Sequence, residues 1–269
     1  MSRSRLVMAL VVAVIAVMGY FGKSAFNPIT QEKQHVAGIT PEQEVALGLQ
    51  AAPEMLQQFG GPDPNPESQA LVKRVGERLV SRTAAAQSPY RFEFHLLDDA
   101  ETVNAFALPG GQVAITEGLL RKLKTEGQLA GVLGHEIGHV VARHGAEHIA
   151  KQQLTEGLTG AAVLATYDPN NPSSRGSAAV AAMIGQLVGM RFGRQDELES
   201  DDLGVRFTSE AGYDPRSMTG LMKVLEESSQ GGRPPEFFST HPNPENRIQR
   251  IEAAIQKRYP DGVPSGLEK

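Results

Sequence analysis

His135 and His139 lie four residues apart, with Glu136 directly after the first, in a stretch that also holds Leu129, Val132, Leu133, Ile137, Val140 and Val141. On an α-helix, residues four apart are separated by about 40°, so both imidazoles face one point. Zinc takes imidazole nitrogen at about 2.0–2.1 Å, and this spacing suits it. Glu136 falls on the same side but is too close in sequence to share the coordination. It is placed instead to act as a base towards a water whose pKa zinc lowers to about 7. Short motifs of this kind also arise by chance, mostly on exposed helices. The apolar neighbours put this one on a core helix, so the expectation is a real site holding one Zn2+ per chain.

A catalytic zinc site needs a third protein ligand and an open position. A third histidine in the metzincin arrangement would put Gly at 142 and His at 145, but the chain has Ala142 and Gly145. A downstream carboxylate is then required, and the acidic cluster at 196–202 is its source. Glu197 and Asp201 are four apart and share a helical face. One can bind zinc while the other accepts the Nδ1–H of a ligating imidazole. Glu199 and Asp202 point elsewhere. Runs of charge are usually solvated, but this one lies between Met190-Arg191-Phe192 and Leu203-Gly204-Val205, as expected of a long, partly apolar helix. On an unbroken helix His144 stands about 140° around from His139, so His144 and His148 read as structural or exposed. His35 falls in a linker and His95 on the polar face of a strand.

These residues need elements to hold them. The chain has 269 residues, 40% of them apolar, enough for a sizeable core. Its net charge is −5 with no Lys/Arg block, which argues against nucleic acid as a partner. It contains no cysteine, which excludes disulfides and thiolate chemistry. Arg3 and Arg5 precede an uninterrupted apolar run over 6–21 that Lys23 ends. As a helix the run spans about 24 Å, short of a hydrocarbon core of about 30 Å. It reads as a signal peptide or, by its pattern, a short uncleaved membrane anchor. Either way the rest of the chain is expected outside the cytoplasm, in the periplasm or on the extracytoplasmic face of the inner membrane.

Thr40, Pro41 and Gln43 predict a capped helix start, and a break at 60–66 precedes a helix over 67–82. Residues 90–97 alternate as a half-buried strand, and 103–108 with 112–116 flank Pro109-Gly110-Gly111 as a hairpin. Helical pattern holds over 126–154, and an apolar stretch follows at 157–166. The loop at 167–177 is expected to control access to the cleft. Further helices are expected over 178–212, ending at Gly212, and over 215–229 and 244–258. The fold class is α+β, mostly helical with a small antiparallel sheet, preceded by the N-terminal apolar helix.

Four blocks in order resemble the HtpX-like and Oma-like zinc endopeptidases. This gluzincin family, metallopeptidase family forty-eight, also includes the CaaX prenyl-protein endoprotease. The blocks are residues 104–111, 134–139 and 197–201, and His241-Pro242 with Arg247 six residues on. The resemblance covers about 40–256. It implies that Glu197 is the third zinc ligand and Asp201 the acceptor behind a histidine. It implies that Asn104, Ala105 and Ala107 belong to an edge strand where a protein or peptide docks in extended form. It also places His241 and Arg247 beside the substrate carbonyl. His241 could instead swing in as a fourth zinc ligand that plugs the site at rest, or the pair could be only a helix-entry turn and a surface ion-pair partner. The chain lacks the several long apolar spans of membrane-embedded relatives, so the site is expected to face water.

The division expected is a targeting segment at 1–24, a linker at 25–39, a zinc metallopeptidase domain at 40–258 and a tail at 259–269. The function expected is an exported zinc-dependent endopeptidase, with envelope protein quality control as its setting. The competing class is a zinc-containing periplasmic chaperone or assembly factor with little proteolysis. Glu136 separates them, because a non-catalytic relative has no use for a base there.

Overall fold

A computed structural model of the chain describes residues 3–22, 24–36, 38–166, 191–229, 235–243 and 246–269. The N-terminal apolar run forms α1 (Arg3–Gly22). Among the described residues no helix is long and apolar enough to cross a membrane. The segment expected as a linker is not plain coil. β1 (Ala25–Asn27) and β2 (Glu32–Gln34) pair antiparallel, and the polar side chains explain why. Buried Asn27 donates from Nδ2 to the Val141 carbonyl at 2.6 Å and to Gln34 Oε1 at 3.1 Å. The Gln34 amide donates to the Ala142 carbonyl. These bonds satisfy carbonyls that a helix end leaves free.

α2 (Pro41–Gln58) begins as expected, with Thr40 and Gln43 forming a reciprocal cap. α3 (Pro66–Arg82) starts from Asn65, whose side chain accepts from the N–H groups of Glu67 and Ser68. β3 (Glu93–Leu97), β4 (Ala105–Leu108) and β5 (Gln112–Thr116) form one sheet in the order β3-β5-β4. The β4–β5 hairpin sets Ala105 opposite Ile115 and Leu108 opposite Gln112. β3 joins β5 in parallel, so this sheet is mixed, not wholly antiparallel. Every residue of β5 is buried, as a central strand covered on both faces requires. β4 is left as an edge.

α4 (Glu117–Leu120) is one turn, and α5 (Glu126–Val141) carries the paired histidines with residues 127–141 all buried. The continuous helix expected over 126–154 is broken at Arg143, which takes a left-handed backbone at φ +58°. Its guanidinium is fixed by Glu44 at 3.1 Å and by the Ile39 carbonyl at 2.7 Å. α6 (His144–Thr166) starts after this break, and α1 packs along it. α7 (Arg194–Glu210) opens immediately before the acidic cluster, so Glu197 falls in its first turn and Asp201 one turn further on. Gly212, at φ +88°, follows its end as expected. α8 (Ser217–Ser228), α9 (Phe237–Thr240) and α10 (Arg247–Arg258) complete the described elements. The expected access loop at 167–177 and the helix start at 178 lie outside the described residues, as does Pro244.

One hydrophobic core is shared by α3, α5, α7, α8 and the sheet, and a smaller one lies between α2 and the sheet. α5 and α7 approach closely because their contact surface is made of small residues. A Cβ on Gly138 would stand 3.2 Å from Ser200 Cα, and one on Gly204 would stand 3.3 Å from the His135 nitrogen. Side chains there would push the helices apart and draw Glu197 away from the histidines.

Candidate metal centre

The packing of α5 on α7 brings three of the expected ligands to one buried point. His135 and His139 are each 2% exposed and Glu197 is fully buried. Their Nε2 atoms stand 3.1 Å apart. Glu197 Oε1 lies 3.4 Å from His139 Nε2, and Oε2 lies 3.6 Å from His135 Nε2. Glu197 sits in the first turn of α7, where the helix dipole favours a carboxylate. Burial alone would raise its pKa, but His241, His139 and His135 hold it well below the usual carboxylate range.

The proton positions follow from the outer partners. His135 Nδ1 is 3.0 Å from Asp201 Oδ1, a carboxylate with no proton to give, so Nδ1 donates and Nε2 carries a lone pair. His139 Nδ1 is 2.9 Å from His144 Nδ1, and His144 Nε2 is 3.1 Å from Glu199 Oε2. With His144 donating to Glu199, its Nδ1 accepts from His139, and His139 Nε2 also carries a lone pair. Two lone pairs and a carboxylate thus converge, with His241 Nδ1, 3.0 Å from Glu197 Oε1, the neighbouring ring nitrogen able to put a hydrogen among them. Such a cluster of electron-pair donors suits a cation at its centre. Glu197 Oε2 has no hydrogen-bond partner, which fits a metal ligand. The donor set of two imidazoles and one carboxylate is one that zinc accepts.

Glu136 is fully buried beside this point, and neither carboxylate oxygen has a hydrogen-bond partner. Burial pushes its pKa up, with His241 and His135 pulling the other way. His241 is also fully buried, and its Nδ1 faces the cluster, 3.0 Å from Glu197 Oε1 and 3.4 Å from His135 Nε2. One ligand atom from each of His135, His139, Glu197 and His241 lies within 4.8 Å of all the others. His241 Nε2 is 3.5 Å from Glu136 Oε1, and its ring stacks on Phe237 at 4.4 Å.

Arg247 stands behind the ligands. Its Nε and Nη2 donate to the two oxygens of Asp201 at 2.7 and 2.8 Å, and Nη2 lies 3.3 Å from Glu197 Oε2. The resemblance put it beside a substrate carbonyl, but its contacts here are with the carboxylates that support and form the centre. Asn104, Ala105 and Ala107 lie on or next to the edge strand β4. Asn104 is 2% exposed, its N–H donates to Thr116 Oγ1 at 3.1 Å, and its Oδ1 has no partner.

Sequence reasoning missed His144 and Glu199 as the group behind His139, and Phe192, whose ring stacks on His139 at 3.9 Å. The helical angle that turned His144 away holds only for an unbroken helix. Phe192 carried a weak signal, an aromatic immediately ahead of the acidic cluster.

Two histidines from one helix and a glutamate from a second, with a free carboxylate at the same point and a strand edge alongside, define a metallopeptidase centre. The sequence pattern of Peptidase family M48 matches residues 66–255. The beta-barrel assembly-enhancing protease of Escherichia coli (strain K12) is 37% identical over 188 residues, covering 66% of this chain and 37% of the relative. The mitochondrial metalloendopeptidase OMA1 of Schizosaccharomyces pombe is 31% identical over 237 residues, covering 87% of this chain and 67% of the relative. The chain belongs to Peptidase family M48. It spans little more than a third of the length of the Escherichia coli relative.

Proposed function

We propose that the chain is an exported zinc-dependent endopeptidase that hydrolyses peptide bonds in extended segments of envelope proteins. The observation that carries this reading is the convergence of His135, His139 and Glu197 beside a buried Glu136 whose two oxygens make no hydrogen bond. The first three would hold zinc. When bound, zinc supplies a Lewis acid that polarises a carbonyl and makes water more acidic. Glu136 takes the proton of the attacking water and delivers it to the leaving nitrogen. The edge of β4, unpaired by any strand among the described residues, with the main-chain groups of Asn104, Ala105 and Ala107, suits an extended peptide added as a strand.

His241 fits the resting plug better than the carbonyl donor, since its Nδ1 faces Glu197 and His135. Arg247 positions the centre through Asp201 and Glu197. The Escherichia coli relative is named for enhancing β-barrel assembly, which supports envelope proteins as substrates.

Glu136→Gln tests the reading. The variant keeps stoichiometric zinc and the fold but loses hydrolysis of an unfolded protein substrate by about 10²–10⁴-fold. Turnover near the wild-type rate would overturn the mechanism and favour the chaperone. In the same assay His241→Ala raises turnover if His241 plugs the resting site and lowers it if His241 stabilises the transition state.

A further inference from the structure

Four cationic side chains, Arg206, Arg250, Lys257 and Arg258, meet in one groove of about 500 Å³ between α7 and α10. None of them is a ligand of the metal centre or a support of its ligands. We propose that this groove binds a phosphate monoester, held by Arg250 and Lys257 from α10 and by Arg206 from α7. The site is independent of the proteolytic reading.

Three observations carry it. The first is charge. The chain as a whole is acidic, at −5, yet here the balance is reversed. Asp202 is the one acid on the groove wall. Glu210, which does not line it, is engaged by Arg206 at 2.9 Å and by Arg258 at 3.3 Å. The side chains of Arg250 and Lys257 make no ion pair or hydrogen bond among the described residues. Arg206 gives Nε to Glu210 and Nη1 to the Ile29 carbonyl, so its Nη2 remains for a ligand. Four cations against two carboxylates leave two positive charges in excess. A phosphate monoester carries about −1.5 to −2 at pH 7 and matches that excess, whereas a carboxylate cancels half of it. Arginine also pairs with phosphate through two parallel bonds. The second is the helix. Its dipole favours cations in the last turn of α10 and so accounts for Lys257 and Arg258. It disfavours Arg250, which stands in the first turn with no acidic residue there to offset it. An anion beside Arg250 removes that conflict. The third is shape. Arg250 and Lys257 are seven residues apart, which puts them on one side of α10 with about 10 Å between their Cα atoms. Between them Ala253 and Ala254 carry only a methyl each, so the two cations bracket a bare floor. The groove has the size of sites that hold small organic molecules, about 300–1,000 Å³, and a bare ion replaces only a few waters of about 30 Å³ each. The phosphate is therefore carried on a larger polar body, either a soluble ester or a lipid headgroup.

The test is calorimetric titration of the zinc-loaded protein with glycerol 3-phosphate, sulfate and a triglutamate peptide at one ionic strength. Glycerol 3-phosphate should bind roughly tenfold or more tightly than either of the others. Arg250→Ala combined with Lys257→Ala should weaken its binding by about 10–100-fold. Ala253→Glu keeps every cation but puts a carboxylate on the floor, and it should weaken binding as much. All three positions are exposed, so these variants keep the fold. Affinity unchanged in both variants would put the phosphate elsewhere, the zinc included, and overturn the groove. Sulfate or triglutamate binding as tightly as the ester would reduce it to a patch that attracts any anion, and overturn the proposal too. Flotation with phosphatidylcholine vesicles, with and without phosphatidic acid, then distinguishes the sources. A gain from phosphatidic acid that Ala253→Glu abolishes assigns the groove to a lipid headgroup. No gain, with glycerol 3-phosphate still bound in solution, assigns it to a soluble ester. Binding in neither arm would leave no phosphate site.

Discussion

His135 and His139 stand one turn apart on the same helix, yet they are held from behind in different ways. Behind His135 is a charged clamp: Asp201 accepts its Nδ1–H at 3.0 Å, and Arg247 fixes Asp201 with two bonds at 2.7 and 2.8 Å. Burial would raise the Asp201 pKa, but Arg247 and His135 hold it down, so the carboxylate stays ionised. Behind His139 is a second imidazole, His144 at 2.9 Å, backed by Glu199, which is 27% exposed on its side chain. Phe192 covers the ring face. A buried carboxylate makes a ligating imidazole more basic than a neutral neighbour does. The two ligands are therefore unequal: His135 is held by charge, and His139 by geometry that depends on the helix break at Arg143.

The largest test removes the charged side. Asp201→Ala should weaken zinc binding by about 10–100-fold, read by competition with a chromogenic chelator. It also leaves the Arg247 guanidinium buried without its main partner, which costs roughly 3–5 kcal/mol of stability. Asp201→Asn keeps an acceptor for the Nδ1–H and should lose less zinc affinity than Asp201→Ala. Zinc affinity unchanged in Asp201→Ala would show that His135 needs no carboxylate behind it.

The uncharged side should be weaker. His144→Ala should lower zinc affinity by about tenfold, at the low end for an outer partner. His144→Gln should restore most of it, because its amide can accept from His139 and donate to Glu199. A role confined to packing predicts a different pattern, with both variants losing the same affinity and the zinc-free protein melting lower in each.

How much of this was legible in the sequence follows from what local pattern encodes. The spacing of His135 and His139, the cap at Thr40 and the hairpin around Pro109 are local features, and the structure has them. Glu197 and Asp201 were legible as a pair sharing a face, and α7 brings that face to the histidines. The parallel pairing of β3 was not legible, because nothing between 97 and 105 specifies which side of the hairpin β3 joins. Nor was the use of Asn27 and Gln34 to cap α5, since two amides in a polar stretch look like any linker. The break at Arg143 was hidden for a sharper reason. A left-handed residue is usually announced by glycine or asparagine, and arginine announces nothing. What holds it is tertiary, and Glu44 lies 99 residues away along the chain.

That break yields the smallest effect and the finest test of the comparison. Arg143 holds φ +58°, a conformation that disfavours any residue with a Cβ by roughly 1–2 kcal/mol. Its bonds to Glu44 and to the Ile39 carbonyl offset that strain. Arg143→Ala and Arg143→Gly remove the same guanidinium and leave the same Glu44 beside Tyr90. They differ only at the backbone, where glycine takes the left-handed region freely. Arg143→Gly should therefore be more stable than Arg143→Ala by about 1 kcal/mol, read from urea midpoints at equal slope. Zinc affinity then reports whether the break places His144. With the break kept, Arg143→Gly should bind zinc as tightly as His144→Gln or better. If alanine lets the chain relax into one continuous helix, the two variants converge in stability. His144 then turns away from His139, and the zinc affinity of Arg143→Ala falls to that of His144→Ala. If the two variants converge in stability, so that the break is lost in Arg143→Ala, and that variant still holds zinc as the unaltered chain does, the break is not what positions His144, and the geometric half of the comparison fails.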